Sequence, residues 1–211
     1  KGRQRKLFNI PANDELGLSK LLINKNWEND YKNYIKQTKI KGLSVIPTGI
    51  YPPNPSELLT SERFLNLLMK LREEYDRIIL DCPPLLGLIT TNALAASNSV
   101  IIPVQCEFFA LEGIMQLLNS IMIAQKKLNP TLDIEGVLLT MLDSRTNLGL
   151  EVVEEIKSYF KEKVYDTIIP RLVKLSEAPS HGKPIYAYDP KSHGTTAYLN
   201  LAKEVIERNG E

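Results

Sequence analysis

A carboxylate that directly follows a short apolar run is the residue best placed to do chemistry in this sequence. The run Ile78–Leu80 ends at Asp81, and Pro83 and Pro84 then stop the strand. Such a run is typical of a strand inside a parallel sheet, covered on both faces. A carboxylate at its carboxyl end faces the crevice where α/β sheets bind ligands. In nucleotide hydrolases it holds Mg²⁺, usually through water, as the Walker B acid. The alternative is an aspartate that only caps the next turn.

The composition is that of a globular protein with a full core. A length of 211 residues suits one α/β domain, and 43% hydrophobic residues is an ordinary content. The net charge of only +1 means that any DNA contact needs a local basic patch. Cys82 and Cys106 are expected to be reduced, packed thiols of a cytosolic protein. The sequence contains no apolar run long enough to span a membrane and opens with no secretory signal, so we expect no membrane association.

Strand-like and helix-like segments alternate along the chain, which predicts parallel βαβ units. The predicted strands are 43–47, 77–81, 100–104, 134–141 and 165–169. The predicted helices are 15–23, 56–74 with Ser56 as its N-cap, 92–96, 111–127, 147–160 and 195–208. We find no repeat and no linker, so we predict a single doubly wound α/β domain over residues 1–211 with a mostly parallel sheet.

The sequence contains no phosphate-binding loop. Such a loop needs glycines whose backbone N–H groups cradle phosphate, followed by Lys and Ser or Thr. None of the 11 glycines stands in that arrangement, and Gly182-Lys183 is followed by proline. In a doubly wound nucleotide hydrolase this loop follows the first strand. We therefore expect an N-terminally truncated domain that lacks the first strand and the loop.

Several ordered blocks between Asp81 and the C-terminus resemble the ParA/Soj family of chromosome-partitioning ATPases, which carry deviant Walker motifs. These blocks are Asp81–Thr90, Asn92–Leu94, Ile102–Gly113, Leu139–Asn147, Ile169–Gly182 and Tyr188–Gly194 with Tyr198. The resemblance implies a P-loop NTPase-like fold with ATP and Mg²⁺ as cofactors.

The resemblance also implies roles for the residues around Asp81. It makes Asp81 the Walker B acid and the metal ligand, and it places Pro83 and Pro84 in a switch region that senses the γ-phosphate. The alternative for the two prolines is plain strand termination. No catalytic residue is assigned, because the loop lysines have no counterpart here and Asp14 does not match the family's motif.

The front of the chain, residues 1–80, resembles a different family. Lys6–Phe8, Gly17–Ser19 and Gly49–Ser61 are similar to bacterial capsular tyrosine kinases, which share the ATPase fold. The two resemblances agree on fold and cofactor but differ in function. A recombinant gene, an assembly artefact and a divergent family member would each give this pattern.

By the resemblance, two strand ends build an adenine pocket. Thr140 and Met141 end one strand near Asp143, and Pro170 and Arg171 form the other wall. A proline there offers a flat apolar face and a free carbonyl to a purine. The alternative is simple strand punctuation. His181 and His193 have no second ligand at metal spacing, so we expect no metal there.

Basic residues recur on the loops and helix ends of the C-terminal half. In ParA-like proteins such residues bind DNA non-specifically once ATP has made a dimer, and phosphate contact needs only Lys or Arg. The alternative is a solvated surface with nearby acids such as Glu177 and Asp189. The predicted DNA-binding residues are Arg145, Arg171, Lys174 and Lys191, with Lys183 nearby.

The resemblance therefore implies a cytoplasmic, nucleoid-associated DNA-segregation ATPase. ATP supports a homodimer, with the segment Gln105–Gly113 near its interface, and a ParB-like partner stimulates hydrolysis and release. We expect these 211 residues alone to hydrolyse ATP very poorly or not at all.

Two alternatives remain open. The first is a capsular polysaccharide tyrosine kinase, although the end of the chain, Arg208–Glu211, has no tyrosine cluster. The second is a non-catalytic scaffold that keeps the ParA-like fold.

Overall fold

The structure, a computed structural model, describes residues 8, 10–11, 15–83 and 87–210. Asp14 and Pro84, which the sequence analysis discusses, lie outside these residues, as do Lys6 and Leu7. The chain divides into two compact units, Lys1–Ala96 (unit 1) and Ser97–Glu211 (unit 2). Each unit is described by itself.

Unit 1 is mainly helical, with one short hairpin. Its helices are α1 (Leu18–Ile23), α2 (Trp27–Asp30), α3 (Pro55–Leu59), α4 (Glu62–Glu74) and α5 (Leu88–Ala96), and a 3₁₀ turn covers Tyr31–Tyr34. Strands β1 (Lys36–Gln37) and β2 (Ser44–Val45) pair antiparallel.

Two helices occupy the segment for which the sequence predicts one helix over 56–74. Pro55 opens α3, where its missing N–H costs nothing. Ser61 then begins α4, because its side chain accepts a hydrogen bond from the backbone N–H of Phe64. The prediction of Ser56 as the cap is therefore wrong. Helix α4 buries Phe64, Leu67 and Leu71 on one face, the spacing of an amphipathic helix.

The segment leading to Asp81 differs from its prediction. Residues 77–83 form no strand, and the ladder that the structure describes in unit 1 is the β1–β2 hairpin. Ile78 and Leu80 pack against the core of unit 1, whereas the Ile79 side chain is 87% exposed. The prediction of a strand covered on both faces is therefore wrong: a buried parallel strand needs sheet neighbours and covered faces, and the described part of unit 1 supplies one covered face. Cys82 is likewise exposed rather than packed.

Unit 2 alternates strands and helices. Its elements are β3 (Ser99–Gln105), α6 (Ala110–Lys127), β4 (Asp133–Thr140), α7 (Asn147–Phe160), a 3₁₀ turn (Lys161–Lys163), α8 (Val173–Ser180), α9 (Ile185–Tyr188) and α10 (His193–Arg208). The order β3–α6–β4 is a βαβ unit, and β3 and β4 pair parallel as the sequence predicts.

A third parallel segment runs along β4. Isolated bridges pair Val137 with Val164 and Leu142 with Pro170. Between them the backbone N–H of Ile169 donates to the carbonyl of Leu139, at 2.9 Å. The predicted strand over 165–169 is therefore present as a segment bridged at its two ends rather than as a full ladder.

The core of unit 2 lies between this sheet and its helices. Ile102, Leu139 and Tyr165 are almost fully buried, and each such apolar side chain contributes about 1.5–3 kcal/mol. Gly136 is required at its position, because a Cβ there would lie 2.5 Å from Cε2 of Tyr165. Helix α10 packs Ala197 on the same cluster. Within the described ranges, no helix combines the length and the apolar character that a membrane span requires.

Candidate functional site

The carboxyl ends of three parallel segments meet at one edge of unit 2, which we call, with the turn after β4, the carboxyl rim (105–107, 140–145 and 169–171). The backbone N–H of Cys106 donates to Thr140, at 2.9 Å, which joins the first two ends. The N–H of Leu142 donates to Ile169, at 3.2 Å, and the N–H of Arg171 donates back to Leu142, at 2.8 Å. The rim is therefore fixed by backbone hydrogen bonds, as the site edge of an α/β sheet needs to be.

Met141 turns the chain immediately after β4. Its φ of 56° lies in the left-handed region, which is uncommon for a residue other than glycine. The turn brings Leu142 alongside Pro170, where the two residues form a bridge. Such conformations persist only where the surrounding structure holds them, and they cluster at functional sites.

Asp143 organises the turn that follows. Its carbonyl accepts from the hydroxyl of Thr146, at 2.9 Å, and the same hydroxyl accepts from the N–H of Gly149 to cap α7. Its carboxylate accepts from Nε and Nη2 of Arg145, at 2.9 and 2.7 Å, in a bidentate pair. The hydrogen bonds from Arg145 lower the pKa of Asp143 to about 2, and the charge of Arg171 adds to the shift.

Arg171 makes the second ion pair of the rim. Its Nη1 lies 3.1 Å from Oε1 of Glu107, with the two side chains 56% and 49% exposed. Glu107, Arg171, Asp143 and Arg145 therefore alternate in charge along the rim. Cys106, next to Glu107, is buried as predicted, and burial raises the pKa of its thiol.

A cleft of about 470 Å³ opens beside the rim. Its size and its mixed polar and apolar walls suit a small molecule. One wall comes from the rim and the third parallel segment, and the other comes from α10. The lining residues are Leu142, Ser144, Asp166, Thr167, Ile168, Pro170, His193, Thr196, Ala197 and Asn200.

Helix α10 is tied to the third parallel segment. The carboxylate of Glu204 accepts from the backbone N–H groups of Asp166 and Thr167, at 2.7 and 3.0 Å. Arg208 lies over the ring of Tyr165, 4.4 Å from its centroid, and donates to the carbonyl of Val164 at 2.7 Å. These contacts fix the distance between the two walls of the cleft.

Four of the predicted nucleotide-binding residues lie at the carboxyl rim. Pro170 also lines the cleft. Thr140, Met141 and Arg171 are not among the cleft-lining residues, and the hydroxyl of Thr140 donates to the carbonyl of Val104. Asp81 belongs to unit 1, where its side chain is exposed. In the described parts of the chain, no three His, Cys, Asp or Glu residues lie close enough to hold a metal ion.

The predicted DNA-binding residues are all on unit 2, and one of them, Lys174, has the acidic partner that the sequence suggested. Lys174 lies 3.6 Å from Glu177, the acid that the sequence suggested, and over the ring of Tyr188. Arg145 and Arg171 instead pair with the rim acids. Lys191 is exposed, and no acid of the described chain is within ion-pair distance of it.

Several contacts of this region were not predicted from the sequence. Asp143 stands two positions before Arg145, and an aspartate at that spacing indicates a local turn that would bring the two residues together. The pairing of Glu107 with Arg171 spans 64 positions and has no local signal. The sequence also gives no sign of the α10 wall of the cleft, and its one prediction for His193 concerns metal binding.

Comparison with known proteins identifies relatives of this chain. The family described as "AAA domain" matches residues 6–134. The sporulation initiation inhibitor protein Soj of Bacillus subtilis is 57% identical over 181 residues, which cover 83% of this chain and 72% of Soj. The chromosome partitioning protein ParA of Myxococcus xanthus is 49% identical over 177 residues, covering 82% of this chain and 62% of that protein. These matches are too long to lie wholly between Asp81 and the C-terminus, so the similarity extends in front of Asp81.

A solved structure shows the same fold. Cobyrinic acid a,c-diamide synthase from Mycobacterium smegmatis, crystallised with bound ADP and magnesium, has a TM-score of 0.71 and is 28% identical. The match covers 92% of this chain and 72% of that chain. The chain therefore has the P-loop NTPase-like α/β fold that the sequence predicts.

Proposed function

We propose that this chain, which belongs to the ParA/Soj family of chromosome-partitioning ATPases, binds ATP with Mg²⁺ as part of a DNA-segregation ATPase. The observation that carries the proposal is the 57% identity to Soj over 83% of the chain. The chain spans 62–72% of the two relatives described above, so the activity of a whole partitioning protein is part of the proposal.

In this proposal, the cleft beside the carboxyl rim would hold the adenine of ATP. Pro170 would offer adenine an apolar face in the cleft, and Thr140, Met141 and Arg171 lie on the rim beside the cleft. Support comes from the fixed backbone of the rim and from the ADP bound by the related cobyrinic acid a,c-diamide synthase. The polar lining residues that α10 supplies are His193, Thr196 and Asn200.

Asp81 would hold Mg²⁺ in this proposal, and the phosphates of ATP would supply further oxygen ligands. This ion keeps several waters and is usually bound by one or two carboxylates plus substrate oxygens. A single exposed carboxylate such as Asp81 fits that donor set, and a closed cluster of protein ligands is not required. The bound ion would neutralise phosphate charge.

Unit 2 also carries the proposed DNA contacts. The four basic side chains are exposed, and each can meet a phosphate without reading a base. Binding is non-specific and salt-sensitive, which fits association with the nucleoid. We include in the proposal an ATP-dependent homodimer and a ParB-like partner that stimulates hydrolysis.

The 211 residues alone are expected to turn over ATP very slowly, because they contain no glycine-rich loop followed by Lys and Ser or Thr. The capsular tyrosine kinase and the non-catalytic scaffold remain alternatives. Phosphotyrosine on the purified chain after incubation with ATP would favour the kinase, and partner binding that ignores nucleotide would favour the scaffold.

A bulky residue in the cleft tests the nucleotide site. Thr196→Trp fills the cleft from α10, so we expect Mg²⁺-dependent binding of a fluorescent ATP analogue to weaken about tenfold or more. Leu199→Trp is the matched control, since Leu199 is half exposed on the same helix but does not line the cleft. Equal affinities of the two variants for the analogue would refute the cleft assignment. If the wild-type chain did not bind the analogue even at high concentration, nucleotide binding itself would be refuted.

A further inference from the structure

Arg171 and Glu107 are held facing each other by their own backbones. The N–H of Arg171 donates to the carbonyl of Leu142, which fixes the start of the arginine side chain. The N–H of Glu107 donates to Gln105, and its carbonyl accepts from Ala110, both at 2.9 Å, in the turn that joins β3 to α6. Their pairing is therefore a consequence of the rim geometry and needs no rearrangement to form.

A carboxylate and a phosphate compete for the same donors of a guanidinium. Both accept the planar N–H groups of arginine, preferably two at a time. Glu107 engages Nη1 of Arg171 through Oε1, at 3.1 Å. An exposed pair with a single contact of this kind is weak and exchanges readily, so an entering phosphate can displace Glu107.

The other arginine of the rim is held more firmly. Arg145 gives two hydrogen bonds to Asp143, and the backbone of the same turn adds a third to that carboxylate, at 3.1 Å. Arg171 has the single bond described above. Of the two rim arginines, Arg171 is therefore the one whose partner is easier to remove.

We propose that Glu107 is a built-in competitor of phosphate, which holds Arg171 until a DNA backbone displaces it. The inference rests on the proposed DNA binding and names a device that limits it. Arg171 then contacts a phosphate only in the fraction of molecules in which its pair with Glu107 is open. Glu107 therefore lowers the apparent affinity for DNA without contacting the DNA.

Charge-matched variants test the competition. The wild-type chain, Glu107→Gln, Arg171→Gln and the double variant are titrated against a short random-sequence duplex over a KCl series. Glu112→Gln removes the same charge from the first turn of α6, so it controls for the general effect of charge. We expect Glu107→Gln to bind about two- to fivefold more tightly than Glu112→Gln. For Glu107→Gln, the slope of log K against log [KCl] should steepen by about 0.9, which corresponds to one additional phosphate contact.

The double variant separates competition from a simple charge effect. In the Arg171→Gln background, Glu107→Gln should raise the affinity for the duplex no more than Glu112→Gln does. Equal affinities of Glu107→Gln and Glu112→Gln, or a gain that survives without Arg171, would overturn the proposal.

Chemical modification gives a readout that does not depend on DNA. Phenylglyoxal reacts with accessible arginines, and peptide mapping reports each site. Glu107→Gln should speed the modification of Arg171 relative to the wild type and Glu112→Gln, while Arg145 keeps its rate as the internal reference. Unchanged rates at Arg171 would overturn the proposal. If no chain binds the duplex but Arg171 reacts faster, the proposed DNA binding fails and the hold of Glu107 on Arg171 stands.

Discussion

The rim after β4 and the segment that leads to Asp81 are held in different ways. In unit 2 the rim backbone exchanges hydrogen bonds across three parallel segments, and even the left-handed turn at Met141 is fixed. In unit 1 the segment 77–83 rests on the core through Ile78 and Leu80, while Ile79 faces out. An apolar run therefore becomes a buried strand only where neighbouring segments cover it and pair with it.

Alanine substitutions at two isoleucines from predicted strands should differ most in their effect on stability. Ile102→Ala removes a side chain that is 2% exposed in β3, so we expect unfolding free energy to fall by about 2–5 kcal/mol. Ile79→Ala alters an exposed side chain, and its effect should stay within about 0.5 kcal/mol. Urea denaturation of both variants measures the difference. A cost for Ile79→Ala as large as that for Ile102→Ala would mean that the segment before Asp81 is a buried strand in solution.

A second comparison uses two glycines of unit 2. Gly136→Ala places a Cβ against the ring of Tyr165, and such overpacking costs about 1–3 kcal/mol. Gly113→Ala on α6 meets open space and should leave stability unchanged or raise it by up to about 1 kcal/mol. The same denaturation experiment applies. If both alanines were tolerated equally, the close packing of Tyr165 on β4 would be wrong.

The smallest expected effect concerns the charge of the rim. Because Arg145 lowers the pKa of Asp143 from 3.8 in the unfolded chain to about 2, the pair stabilises the fold above pH 3.8. That contribution is lost as the pH falls through about 2, and it is small because the Arg145 side chain is 87% exposed, so solvent screens the pair. An NMR titration of the Asp143 carboxyl follows the shift, and Arg145→Gln should return its pKa toward 3.8. An unshifted pKa in the wild type would show that the bidentate pair does not form.

The long elements of unit 2 were predictable from the sequence. Helix α7 spans the predicted residues, and α6, α10, β3 and β4 agree to within two residues at each end. Long periodic runs bounded by caps carry this information, because their apolar faces and their end signals agree.

Short or tertiary features were not predictable in the same way. Helices α2 and α9 have four residues each, too few for a periodic pattern, and α8 contains Pro179 in its last turn. At the site, the sequence indicated the strand ends and Pro170. The wall from α10 and the pairing of Glu107 with Arg171 depend on packing between distant parts of unit 2.

Hydrogen–deuterium exchange of the 211-residue chain, with and without ATP and Mg²⁺, tests the central assignment most directly. If the nucleotide binds beside the carboxyl rim, peptides that cover 140–145 and 166–171 will exchange more slowly with ATP present. Peptides of α4, on unit 1, serve as the reference and should not change. Unaltered exchange in both rim peptides at saturating ATP would contradict the assignment.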